Sequence, residues 1–310
     1  MQEILPDDPG AGSIADVNQR IDRREFGRLS LTVAAAMAGG CAAQPRAAPP
    51  SVPSTEIPII TNTGILNAGL AYFDGDYSTG DFSQWWVQCK NYNGNGNAFP
   101  GSYSASIVGD ASFGRAARFE VRTGDVPPFG GGERSEVSGG SSSGGREGDV
   151  RWYRFATKFD QSFPDNHADL GWGLTNQWHG ETLDGSPPIS WSVSEQNGQW
   201  TLVAERQSRP ADYLGAVVVF STPLDAGSWH DVTMRIGWSV SESGGFVELW
   251  HNGVRQTFTD GSQTYRVRTL VPTAAPSVYY KEGYYRDNGI APTGVVYHSG
   301  FRCAATQEAL

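Results

Sequence analysis

Methionine, cysteine, cationic side chains and helical periodicity are all scarce in this chain. Three of its 310 residues are Met and three are Cys. No segment beyond residue 41 keeps a 3.6-residue apolar period, which argues against a helical bundle. No internal repeat is visible, so a solenoid is not indicated. Lys and Arg total 23 against 33 Asp and Glu, a net charge of −10. The first 40 residues hold six acids and four bases, so the remainder still stands at −8. A chain this acidic does not attract nucleic acid. A polyanionic ligand would require its few cations to be gathered in one place.

What is abundant is glycine, 39 residues, and aromatic side chains, 12%. Short apolar runs broken by Gly, Ser, Asn and Asp predict an all-β, turn-rich protein. Residues 151–159 alternate strongly: Trp152, Arg154, Ala156 and Lys158 share one face, and Tyr153, Phe155, Thr157 and Phe159 the other. Residues 104–108 and 115–122 read as two further strands. Residues 190–193 and 200–205 read as a hairpin around Asn197-Gly198. Residues 229–236 and 245–250 flank a Ser/Gly turn, and Asn252-Gly253 is a tight turn into the next strand. Two packed antiparallel sheets follow from this pattern. His230 and His251 sit at strand ends and read as structural.

The N-terminal region has its own logic. Arg23-Arg24-Glu25-Phe26 precedes the apolar run 29–38, too short to span a bilayer as a mature helix. The pair of arginines resembles a twin-arginine export signal. Ala38-Gly39-Gly40-Cys41 resembles a lipobox, which would make Cys41 a lipidated N-terminus and the only link to a membrane. Residues 1–41 are thus expected to be a signal and 42–60 an Ala/Pro-rich tether. Residues 61–310 are expected to form one folded domain of an exported bacterial protein, a cell-surface lipoprotein or a secreted monomer. Cys89 and Cys303 then remain as an even pair in an oxidising compartment and are expected to be bonded. Closing so long a loop would stabilise by roughly 4–5 kcal/mol in the chain-entropy model. Asp74 and Asp76 are the candidate ligands of a structural calcium, although Asp-Gly-Asp is more often a plain turn.

Three short segments carry chemistry. In 279–286, Tyr279, Lys281, Gly283 and Tyr285 share a strand face, opposite Tyr280, Glu282 and Tyr284. Glycine inside a strand often marks a bulge or close approach of a ligand. Gly130-Gly131-Gly132 leads into Glu133-Arg134-Ser135-Glu136, where Glu136 can fix the Arg134 guanidinium as a fork for a carboxylate. In 172–179, Gln177 and His179 point the same way, with Trp178 opposite. The Ser/Gly run 138–145 reads as a mobile loop.

In order and spacing, Arg134-Ser135-Glu136, Gln177-Trp178-His179 and Tyr279-Tyr280-Lys281-Glu282-Gly283-Tyr284-Tyr285 resemble the jelly-roll polysaccharide lyases. These include alginate lyases with Arg-Thr-Glu, Gln-Ile-His and Tyr-Phe-Lys-Ala-Gly-Val-Tyr, and the heparin lyase I and glucuronan lyase relatives. The likeness spans roughly residues 62–304. It implies a β-jelly roll that cleaves a 4-linked uronate by β-elimination and requires no cofactor. It implies Arg134 and Gln177, helped by His179, as neutralisers of the uronate carboxylate. Tyr285 is implied as the group that moves the proton, with His179 as the base for the opposite uronate configuration. Lys281, Glu136, Tyr279 and Asn176 are implied as substrate-holding residues. Two departures, Trp178 for an aliphatic residue and Arg286-Asp287 for Asn-Gln, lean toward the glucuronan and heparin lyase I side. The alternatives are a sugar-binding module, which leaves the Arg, His, Lys and Tyr set unexplained, and a glycoside hydrolase. The latter needs two carboxylates flanking the bond, and no strand motif of that kind is present.

Overall fold

The computed structural model describes residues 71–92, 96–181, 185–207 and 213–310. The expected signal, Cys41 and the tether lie outside the described residues. Two antiparallel sheets face each other. One runs β11 (Tyr213–Pro223), β10 (Gln199–Gln207), β9 (Ile189–Ser192), β8 (Gly173–Gly180), β16 (Ser277–Arg286), β5 (Glu133–Ser138), β2 (Trp86–Cys89). The two-residue β6 (Gly145–Arg146) pairs with the start of β16. The other sheet runs β14 (Val254–Arg255), β13 (Phe246–His251), β12 (Trp229–Gly237), β7 (Val150–Phe159), β17 (Gly294–Ala304), β4 (Gly114–Val121), β3 (Ala105–Asp110). β1 (Ala71–Gly75) pairs with β17, and β15 (Tyr265–Arg266) with β13. One short helix, α1 (His167–Leu170), interrupts the all-β chain.

Alternation decides which side chains meet between the sheets. Tyr153, Phe155, Thr157 and Phe159 of β7 are fully buried. From the facing sheet come Trp178, Trp191, Trp200, Tyr280 and Tyr284, all buried. Each such ring stabilises by roughly 1.5–3 kcal/mol through burial, so Trp178→Ala would cost about 3–5 kcal/mol. Turns follow their residues: Asn252 and Gly253 both take positive φ, 51° and 76°, as the tightest hairpin turn demands.

Two expectations are overturned. Cys89 and Cys303 are free buried thiols. Cys89 is on β2 of one sheet and Cys303 on β17 of the other, and facing sheets lie about 10 Å apart, beyond disulfide reach. Residues 138–145, read as a mobile loop, are packed in place. Ser143 is buried in a 3-10 turn, and its hydroxyl accepts the Tyr280 N–H at 3.0 Å. A Cβ on Gly144 would fall 1.7 Å from the Val278 carbonyl oxygen, so this turn is wedged against β16. Of the candidate calcium ligands, Asp74 pairs with Arg302 at 2.6 Å, and Asp76 accepts from Ser78 and Gln84.

Candidate active site

β16 lies between β8 and β5, not at an edge. Its register sets Lys281 opposite Gln177 and Tyr279 opposite His179 on one side, and Tyr285 opposite Arg134 on the other. All these side chains rise from the face turned away from the other sheet. Six of the eight expected site residues therefore meet as one cluster, and Tyr279 flanks it, its ring 5.5 Å from that of His179.

Glu136 is the hub. Its carboxylate accepts from Lys281 Nζ at 2.7 Å and Gln177 Nε2 at 2.5 Å, and pairs with Arg134 Nη1 at 3.5 Å. Burial pushes its pKa up, but Lys281 and then Arg134 more than reverse that, and it ends below the usual carboxylate range. Burial pushes Lys281 down to about 8, in spite of Glu136. Two cations against one carboxylate leave this cluster with one unbalanced positive charge.

His179 is pushed down to about 4, chiefly by burial and then by Lys281, so it is neutral at pH 7. Its Nδ1 lies 2.9 Å from the Gly180 carbonyl, which can only accept. The proton therefore sits on Nδ1, and Nε2 is left as a proton acceptor. Tyr285 is braced on two sides: Arg134 stacks over its ring at 3.7 Å, and Trp172 meets it edge-on at 4.6 Å. Its hydroxyl oxygen lies 3.4 Å from the Gly132 N–H. A Cβ on Gly132 would sit 2.8 Å from that ring, and one on Gly131 2.5 Å from Arg134. This glycine run is what lets the chain lie this close to both.

Asn176 corrects the sequence expectation. It is fully buried on the opposite face of β8 and donates to the Tyr280 hydroxyl at 2.7 Å. The neighbouring Gln177 and His179 take the side of the cluster, and period-two alternation denies it to Asn176. Trp178 and Arg286, two of the motif departures, do not join the cluster. Trp178 is in the core, and Arg286 is buried, pairing with Glu133 at 2.9 Å and donating to the Ile290 carbonyl at 2.9 Å. Glu133 in turn accepts the N–H groups of Gly124 and Gly289. Sequence reasoning missed this clamp at the foot of the site, and also Trp172. The signal was available: an Arg directly after Tyr285 must face inward.

A cavity of about 560 Å³ lies elsewhere, lined by Arg115, Arg154, Arg302, Asp76 and Asp231. Its arginines are occupied, Arg154 by Asp231 at 2.9 Å, Arg302 by Asp74, and Arg115 by the Ser78 carbonyl at 2.8 Å. It contains none of the motif residues.

A family model described as polysaccharide lyase matches residues 77–302. The chain belongs to the polysaccharide lyases. In fold, this lyase is similar to an endo-β-1,4-glucuronan lyase from the fungus Trichoderma reesei, with a TM-score of 0.53 and 19% identity over 76% of this chain and 96% of that one. It also matches an alginate lyase from Pseudomonas aeruginosa, with a TM-score of 0.48 and 18% identity over 73% of this chain and 100% of that one. No curated protein matches it.

Proposed function

We propose that this lyase cleaves a 4-linked, uronate-containing polysaccharide by β-elimination and leaves a 4,5-unsaturated uronate end. The observation that carries this is the meeting of Arg134, Glu136, Gln177, His179, Lys281 and Tyr285 on one sheet face with a single net positive charge. The proton on carbon 5 is weakly acidic beside a carboxylate. It becomes removable when that carboxylate is neutralised and the dianion that develops is stabilised by fixed donors. Arg134 and the second N–H of Gln177 are the donors for it. Glu136 holds both in place and sets their direction.

On a uronate whose proton and leaving oxygen lie on the same side, the Tyr285 oxygen takes the carbon 5 proton. The freed electron pair becomes the carbon 4–carbon 5 double bond, and the bond from carbon 4 to the leaving oxygen breaks. Tyr285 then returns its proton to that oxygen. The scheme balances without a redox partner. For the opposite configuration, His179 Nε2 accepts the proton and Tyr285 supplies one to the leaving group.

Glucuronan is the first polymer to try, because the Trichoderma reesei protein of like fold is named for it. We also read residues 1–41 as an export signal, which would bring the enzyme to polymer outside the cell. The test is to incubate the protein with glucuronan, alginate, heparin and hyaluronan and follow the ultraviolet absorbance of the new double bond. The expected result is absorbance with a uronate polymer. Reducing ends without it would mean hydrolysis, and binding with neither would mean a sugar-binding module. Tyr285→Phe is expected to lower turnover by about a hundredfold or more, with the fold intact. Near wild-type turnover would remove Tyr285 from the mechanism.

A further inference from the structure

Behind the reacting face, β16 carries an irregularity. Its pairing with β8 shifts between Glu282 and Tyr285: two residues of β16, Gly283 and Tyr284, stand against one of β8. That is a β-bulge, a device that bends a strand and re-aims the side chains beyond it. Gly283 takes φ of 138°, and a Cβ there would lie 2.3 Å from the Ser135 carbonyl oxygen and 2.6 Å from Glu136 Cα. Only glycine fits so close to β5. Tyr285 is the second residue beyond it.

The Gly283 carbonyl oxygen lies 3.0 Å from His298 Nε2, a side chain of β17 in the facing sheet. A carbonyl only accepts, so the His298 proton sits on Nε2 and Nδ1 is an acceptor. Thr157 Oγ1 of β7 lies 3.1 Å from Nδ1, Asn176 Nδ2 of β8 3.5 Å, and the Glu282 carboxyl 3.9 Å. His298 is fully buried, with Phe119 edge-on at 5.7 Å. Glu282 is itself held by the hydroxyls of Tyr77 at 2.6 Å and Tyr280 at 3.1 Å. Thus side chains from both sheets converge on one ring, and that ring holds one carbonyl of the reacting strand. Replacing buried hydrogen-bonded partners by apolar groups of the same shape is often nearly neutral, so stability alone does not account for this set.

We propose that His298 is a positioning residue for the elimination: by hydrogen-bonding the Gly283 carbonyl from the opposite sheet, it holds the bulge that aims Tyr285 into the groove. This rests on Tyr285 moving the proton. His298 never touches substrate. Burial keeps the ring neutral, its pKa pushed down to about 3, so the Nε2–H stays directed at the carbonyl across the working pH range. The charged and titratable groups around it are Glu282, Tyr77 and Tyr280 within the core, and Glu136 across the sheet.

The test uses the whole protein and the polymer it cleaves fastest. His298→Phe fills the volume but loses the donor. It is expected to lower kcat roughly 10- to 100-fold, as misplacement of a reacting group by about 1 Å does, with KM within about twofold. His298→Gln keeps an N–H within reach and is expected to recover most of that loss. Thr157→Val, which removes the group facing Nδ1, is expected to lower kcat by about threefold and decides the matter if His298→Phe does not fold. A folded His298→Phe protein with wild-type kcat would overturn the proposal. So would equal losses for Phe and Gln, or a change confined to KM. If Tyr285→Phe also keeps its turnover, the fault lies with the role of Tyr285 and not with the bulge.

Discussion

Two glutamates, one on β5 and one on the neighbouring β16, are almost equally buried, Glu136 at 1% exposure and Glu282 at 0%. Their surroundings differ in one respect. Glu136 has the Lys281 ammonium at 2.7 Å and the Arg134 guanidinium at 3.5 Å. Glu282 has two phenol hydroxyls and a neutral imidazole. Glu136 is drawn below the usual carboxylate range, whereas burial pushes Glu282 up to about 8. Dryness alone does not set the charge of a carboxyl group; the recruitment of cations does. Cations sit on the face proposed to receive an anion, and neutral donors on the face within the core.

The sharpest way to break this contrast is Glu136→Gln. Removing the carboxylate leaves Arg134 and Lys281 as neighbouring buried cations, and breaking a buried pair this way costs about 3–5 kcal/mol. Denaturant unfolding should show that loss, and a loss below about 1 kcal/mol would mean that solvent, not Glu136, supports the cations. Glu282→Gln should behave differently. Folded Glu282 keeps its proton up to about pH 8, while its ordinary value is 4.5. The folded state therefore binds more protons between those values, and wild-type stability falls as pH rises through that window, by up to about 1.4 kcal/mol per pH unit. The glutamine variant should lack this slope; an unchanged slope would place the titration elsewhere.

Activity gives a smaller signal. Lys281, pushed down to about 8, loses its proton above that pH, and the cluster loses its net charge. kcat/KM is expected to fall about tenfold between pH 7 and pH 9, one decade being about 1.4 kcal/mol. A profile flat to pH 9.5 would remove Lys281 from anion binding. Least of all, a reducing agent should leave Tm unchanged within about 1 °C, because the thiols are free. A disulfide closing so long a loop would instead contribute roughly 4–5 kcal/mol.

The sheets were legible because alternation is a local signal: the pattern of residues 151–159 predicts β7 and its buried face directly. The clustering was legible because three motifs, each with its polar residues two apart, needed only to be neighbouring strands. Asn176 was misassigned because motif proximity was allowed to outweigh its parity in the strand. The Cys89–Cys303 bond failed because pairing depends on which sheet each strand joins, and no local pattern records that. Glu282 and His298 were hidden for the same reason. Parity places Glu282 inward, but its partners come from residues 77 and 298, far away along the chain.

The single surplus cation near Glu136 has a consequence for how this enzyme meets a long polymer. The chain as a whole carries a net charge of −10, while the proposed site offers a polyanion one surplus cation. Docking displaces few counterions, so affinity should vary only gently with ionic strength, unlike that of proteins that grip a charged backbone along its length. Once a strand is cut, little electrostatic pull retains the fragments, and turnover need not wait on their escape.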